Sequence, residues 1–208
     1  MKRILSVMVA AAVVAISGLV AAPPAQAAPV GPGVTPLAST WQNVQLVNVR
    51  YNECLDQVGG GQTEDTPIGH YPCGSADNRQ RWAVVYIGDK RICSYKNWLN
   101  QCTETILVSL FQLRSHQSGM CAHPKGGGTG SGTIIVQRWC IFDSLRDMWV
   151  LDPGPNGGYF FHSAKAFDDG QHIRAIDAPP FFQDYRVRLW THDSATAPNT
   201  AQEWLLRP

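Results

Sequence analysis

Residues 54–82 read CLDQVGGGQTEDTPIGHYPCGSADNRQRW, and residues 121–149 read CAHPKGGGTGSGTIIVQRWCIFDSLRDMW. A shift of 67 lays one stretch on the other. Cys54 then meets Cys121, Gly59-Gly60-Gly61 meets Gly126-Gly127-Gly128, Cys73 meets Cys140, and Trp82 meets Trp149. Upstream, the same shift carries Gln45-Leu46 onto Gln112-Leu113. Each unit holds a cysteine, a glycine-rich turn, a second cysteine 19 residues on, and a tryptophan nine further. Agreement at so many positions marks an internal repeat, and a repeat governs how the rest of the chain is read.

A third copy without cysteines lies near the C-terminus. Ala175-Ile176-Asp177 stands where Cys54-Leu55-Asp56 does, Val187–Thr191 resembles Ile68–Cys73 with one residue fewer, and Gln202-Glu203-Trp204 closes it like Gln80-Arg81-Trp82. Within the units, residues 44–49, 133–139 and 186–190 alternate in polarity between Gly, Pro, Asn and Asp, as short strands do. Four short strands cannot bury an apolar face alone. Three such units around a pseudo-threefold axis can, by closing a small barrel and capping it with hairpins. Leu46, Leu55, Trp82, Leu113, Trp149, Ile176 and Trp204 are the expected buried face. The repeats are placed at about 43–88, 110–152 and 158–208 of one domain spanning 43–208. Between the first two, residues 89–109 are extra and hold Cys93 and Cys102 around Tyr95, Trp98 and Asn100. An inserted hairpin or loop with its own bridge is expected there.

The N-terminus has the pattern of an export signal. Lys2 and Arg3 precede an apolar run from Ile4 to Val20, and Ala25-Gln26-Ala27 supplies small residues for cleavage before Ala28. Residues 1–27 are therefore expected to be a cleavable signal peptide, giving a secreted protein without a membrane anchor. Residues 28–42, rich in Pro, Gly and Ala, are expected to be a disordered leader. Without Lys2 and Arg3 the chain keeps 15 basic and 16 acidic residues, a balance that argues against nucleic acid or an anionic membrane as partner. Glycine (19), proline (14) and tryptophan (7) are plentiful and no long helical pattern appears, which favours an all-β domain. All six cysteines lie in the exported part, so disulfides are expected, although six cysteines allow fifteen pairings.

Taken together, Cys-x-Asp, a glycine-rich turn, an aromatic before the second cysteine and a closing Gln-x-Trp resemble the ricin B-type lectin repeat. Here they are Cys54-Leu55-Asp56, Tyr71-Pro72-Cys73 and Gln80-Arg81-Trp82. The resemblance covers roughly residues 43–208. It implies a β-trefoil that binds carbohydrate, and no enzyme is expected. It also implies bridges within repeats, Cys54–Cys73 and Cys121–Cys140, leaving Cys93–Cys102. By loop-closure entropy each bridge is worth about 2 to 3 kcal/mol.

A pyranose presents hydroxyls around one patch of C–H groups. An aromatic face covers the patch, a fixed carboxylate takes two neighbouring hydroxyls, and an amide serves both a donor and an acceptor. On the family pattern Asp56 is the carboxylate of the first repeat and Tyr71 the platform. Asn78 and Gln80 are its amides, with Gln80 suited also to holding the fold. Gly69 stands where the family often has a hydrogen-bonding side chain. In the second repeat His123 replaces the aspartate, Trp139 adjoins Cys140, and Asp147 replaces the glutamine, so a structural role is expected. In the third, Asp177 and Trp190 restore carboxylate and platform, with Asn199 and Gln202 as amides and Arg188 in the departing position. The resemblance thus implies two weak sites for a glycan or polysaccharide.

Each residue also has a plainer reading. The three closing tryptophans suit the core, Asp56 and Asp177 can cap turns, Tyr71 and Trp190 can be packed rings, and the glycine triplets can be turns. A trefoil that binds a protein partner, as an inhibitor or a toxin-like subunit, is the alternative function, since fold does not dictate function. Histidines 70, 116, 123, 162, 172 and 192 lack the paired spacing of a zinc site, so no metal or other cofactor is expected. Glu64-Asp65 and Asp168-Asp169 read as solvated turns, and no Gly-x-Ser-x-Gly nucleophile occurs.

Overall fold

The structure is a computed structural model that describes residues 40–74, 77–170, 173–180, 184–192 and 199–208. The expected signal peptide, most of the expected leader and His172 lie outside the described residues. Twelve strands are found among them. They are β1 (Trp41–Asn48), β2 (Glu53–Gln57), β3 (Ile68–Pro72), β4 (Trp82–Lys96), β5 (Cys102–Ser115) and β6 (Cys121–Pro124). Then come β7 (Ile135–Arg138), β8 (Met148–Pro153), β9 (Tyr159–Ser163), β10 (Arg174–Asp177), β11 (Arg188–Thr191) and β12 (Glu203–Arg207). A five-residue helix, α1 (Ala164–Asp168), follows β9 and is capped by the Ser163 side chain, which accepts from the Ala166 N–H.

Six strands close into a ring. β1 pairs with β12 and β4, β4 with β5, β5 with β8, β8 with β9, and β9 with β12, all antiparallel. Closure leaves the barrel without a free edge. The other six form the hairpins β2–β3, β6–β7 and β10–β11. These hairpins lace together, with Val187 N–H donating to the Ile68 carbonyl at 3.0 Å, Ile135 N–H to Val187 at 3.0 Å, and Gln137 N–H to Thr66 at 3.0 Å.

All seven residues expected in the core are buried, the tryptophans completely. The Trp82 indole donates to the Leu55 carbonyl at 2.9 Å and that of Trp204 to Ile176 at 3.1 Å. Trp82 and Trp204 thereby each fix the residue before a candidate carboxylate. The alternation expected along 44–49 is absent, because Val44 to Asn48 are all buried. The outer face of β1 is covered too, for instance where the Gln45 amide donates to the Gly74 carbonyl at 2.9 Å. β1 also starts inside the expected leader. The Trp41 ring lies 6.1 Å from Phe111 and 5.7 Å from Tyr159, which ties Trp41 to the barrel.

The first two glycine triplets fold alike. Gly59 and Gly60 have φ of 64° and 67°, and Gly126 and Gly127 have 65° and 71°, a left-handed pair that side chains resist. Residues 89–109 are the outer half of one long hairpin, paired from Trp82 opposite Ser115 to Lys96 opposite Cys102, with register shifts between Tyr86 and Gly88 and again between Cys93 and Lys96. The disulfides join Cys54 to Cys73, Cys93 to Cys102 and Cys121 to Cys140. A second small core of Ile92, Val108, Leu110, Met148, Val150 and Ala164 roots this hairpin against β8 and α1.

Candidate functional site

On β2 the residues alternate faces, so burying Leu55 in the barrel turns Asp56 to the other side of the hairpin. Asp56 pairs across the hairpin with Gly69, and Tyr71 follows two residues on, on the same face. Here the chain forms a pocket of about 330 Å³, lined by Asp56, Tyr71, Gly74, Asp77, Arg79 and Gln80, with Gly59 and Pro72. Asp56 is only 2% exposed, and its burial holds the carboxyl above its ordinary range, against the Gln80 hydrogen bond that pulls the other way.

Gln80 is committed on all sides. Its amide nitrogen donates to the Asp56 carboxylate at 2.8 Å and to the Pro72 carbonyl at 3.0 Å, and its oxygen accepts the Gly74 N–H at 2.8 Å. It therefore aims Asp56 and pins the strand end. Asn78 is exposed on its turn and is not among the residues lining the pocket. Its neighbours take that place. Asp77 caps the turn by accepting the Arg79 N–H at 3.0 Å, and its carboxylate accepts the Arg79 Nε–H at 2.9 Å. That guanidinium holds Asp77 below the usual carboxylate range. The Asp77-x-Arg79 spacing is present in the sequence, but the family pattern assigns it no role.

A second residue outside that pattern comes from another repeat. The Tyr185 ring lies 5.3 Å from that of Tyr71, tilted by 44°, and its carbonyl accepts the His70 N–H at 2.9 Å. A Cβ on Gly69 would come within 2.9 Å of that carbonyl and 3.2 Å of the ring. Gly69 is glycine because Tyr185 occupies the space. Burial and the facing Tyr185 push the Tyr71 hydroxyl up to about 12.

The second repeat keeps the scaffold and lacks the carboxylate at this position. His123 is buried, donates from Nδ1 to the Pro124 carbonyl at 2.6 Å, and is held below the usual histidine range by burial. Asp147 repeats half of what Gln80 does. Its carboxylate accepts the Gln112 amide at 2.9 Å and the Ile141 N–H at 2.7 Å, as Gln80 accepts from Gly74. With no aspartate at 123, the amide half of a glutamine has nothing to aim.

In the third repeat Asp177, 7% exposed, faces Arg188 across β10–β11 with its carboxylate 3.7 Å from Nε. Burial raises its pKa, opposed by Arg188 and by a hydrogen bond from Gln202. The Arg188 guanidinium also lies 4.6 Å from the centre of the Trp190 ring, so it links carboxylate and platform. Trp190 remains 42% exposed. Gln202 is buried and donates to the Thr191 carbonyl at 3.3 Å, which repeats the supporting role of Gln80. Asn199 is half-buried, and its carbonyl accepts the Gln202 N–H at 2.8 Å.

Among the described residues no group of three His, Cys, Asp or Glu is arranged to hold a metal ion, and no helix is long and apolar enough to cross a membrane. No family model and no curated protein sequence matches the chain. Solved structures do. The chain is similar to ThreeFoil, a designed threefold-symmetric protein, with a TM-score of 0.57 at 14% identity over 79% of this chain and 97% of that one. It is a β-trefoil. An exo-β-1,3-galactanase from Clostridium thermocellum gives a TM-score of 0.59 at 17% identity over 80% of this trefoil chain, which spans 30% of the galactanase. The Rhizoctonia solani agglutinin gives 0.52 at 15% identity over 85% of this chain and 99% of that one.

Proposed function

We propose that this β-trefoil is a secreted carbohydrate-binding protein of the ricin B type, with sugar sites in its first and third repeats and no catalytic step. The observation that carries this is the Asp56 carboxylate, held by Gln80 beside the Tyr71 ring in an open pocket of about 330 Å³. A carboxylate fixed by its neighbours accepts two adjacent hydroxyls without ordering cost, and the ring covers the sugar's C–H face. Asp177, Gln202 and Trp190 offer the same three elements on the third repeat, with Arg188 added as a donor. An agglutinin and a galactanase among the structural neighbours support a glycan as ligand. Export through residues 1–27 suits three disulfides, which persist in oxidising compartments.

Each site is expected to bind at around millimolar, about −4 kcal/mol, with avidity gained on a polymer or cell surface. Calorimetric titration of the wild type with oligosaccharides tests this. Weak binding at two or more sites supports the proposal, and one tight site contradicts it.

A further inference from the structure

We propose a third saccharide site at the root of the long hairpin, outside the hairpin caps where the family pattern places sugar. It rests on the carbohydrate-binding reading and adds a position that reading does not use. A cavity of about 300 Å³ lies between β4, β5 and the loop that follows Cys140. That volume is at the small end of ligand pockets, of a size for one sugar ring. Its floor is the apolar Leu110 and Met148, both buried. The cavity exists because the β4–β5 register slips between Tyr86 and Gly88, and Gly88 turns the chain with φ of 137°.

Two features of the rim name the ligand. The Asp89 carboxylate is fixed, accepting the Ser109 hydroxyl at 2.7 Å and a hydrogen bond from Tyr86. The other is Phe142, 63% exposed, with the Arg114 guanidinium 5.3 Å from its ring centre. A carboxylate held by its neighbours on the same rim as an aromatic ring also describes Asp56 with Tyr71, with Asp89 and Phe142 the more exposed pair. Lys90 supplies a donor and Asp143 a further acceptor on the same rim. A phosphate or another anion would meet two carboxylates, and a purely apolar ligand would leave three charges to desolvate. A neutral, hydroxyl-rich ring satisfies donors and acceptors of both kinds. This gives the second repeat a site of its own, although His123 removes the carboxylate from its cap.

The test uses the isotope-labelled full-length mature protein, titrated separately with galactose, N-acetylgalactosamine and xylose into the millimolar range while backbone amides are followed by NMR. At least one sugar is expected to shift the Gly88 and Asp143 amides along a saturating curve. The curve should persist in the Asp56→Ala plus Asp177→Ala protein and weaken about tenfold or more in Phe142→Ala, with Asp89→Asn as an independent second variant. Silence at Gly88 and Asp143 with all three sugars, or an unchanged curve in Phe142→Ala, overturns the proposal. The cap sites report separately through the Gln57 and Arg188 amides, so their failure is distinguishable from this one.

Discussion

Gln80 donates its amide to the Asp56 carboxylate at 2.8 Å while its oxygen accepts the Gly74 N–H at 2.8 Å, so one side chain aims the candidate ligand-binding group and closes the strand behind it. Gln80→Leu removes both halves. It leaves a buried carboxylate and a backbone donor without their partner, which costs about 2 kcal/mol or more. Urea unfolding should show that loss, and sugar binding should vanish from the first repeat while the third retains it. A variant of wild-type stability would refute the supporting role.

Sugar binding should fail at an unusually high pH on the acid side. Asp56 and Asp177 both titrate above the ordinary 3.8 because they are buried. Ionised, each accepts two hydroxyls through charge-assisted bonds, and protonation removes the charge and part of that acceptor capacity, so affinity falls as pH drops through these raised values. The same groups weaken folding in the opposite direction, since stability declines as pH rises from 3.8 through the folded-state pKa. Titration from pH 7 down to 3.8 checks this, and affinity that stays flat over that range would contradict it.

Asp147 is fully buried and its pKa is raised by desolvation, so its charge opposes folding as pH rises through that window. Asp147→Asn keeps an oxygen for Gln112 and Ile141 and removes the charge. Its stability relative to wild type should increase between pH 4 and 7, by thermal unfolding at each pH. A growing deficit would mean that the carboxylate is needed ionised.

Gly69→Ala is expected to destabilise by about 1 to 3 kcal/mol, because its Cβ meets the Tyr185 carbonyl and the Val58 side chain inside ordinary contact. Binding at the first repeat should weaken with it, as Tyr185 moves away from Tyr71. The comparison variant Gly130→Ala lies in open space and at ordinary φ, so it should cost far less.

The repeat and the core tryptophans were legible because they leave periodic marks: cysteines, glycine turns and Gln-x-Trp at a fixed offset. Tyr185 left no such mark. It reaches the first repeat from a segment of the third whose loop spacing has drifted, and only closure of the three hairpins brings it beside Tyr71. Asp77 and Arg79 were hidden for another reason. An Asp-x-Arg turn is common on surfaces, and nothing in the sequence shows that this one forms a pocket wall. The polarity of β1 misled because a barrel strand with a covered outer face is buried on both sides. Residues 89–109 showed their cysteines but not that they extend β4 and β5 outward as one bulged hairpin.

The most direct test of the central claim is a glycan array probed with the wild type and with the Asp56→Ala plus Asp177→Ala protein, its fold verified by circular dichroism. The expected result is a clear wild-type signal on a group of related glycans that falls about a hundredfold or more in the double variant, because avidity from two cap sites is lost. Absence of wild-type signal on every glycan, or a signal that the double variant retains in full, would contradict sugar binding by Asp56 and Asp177.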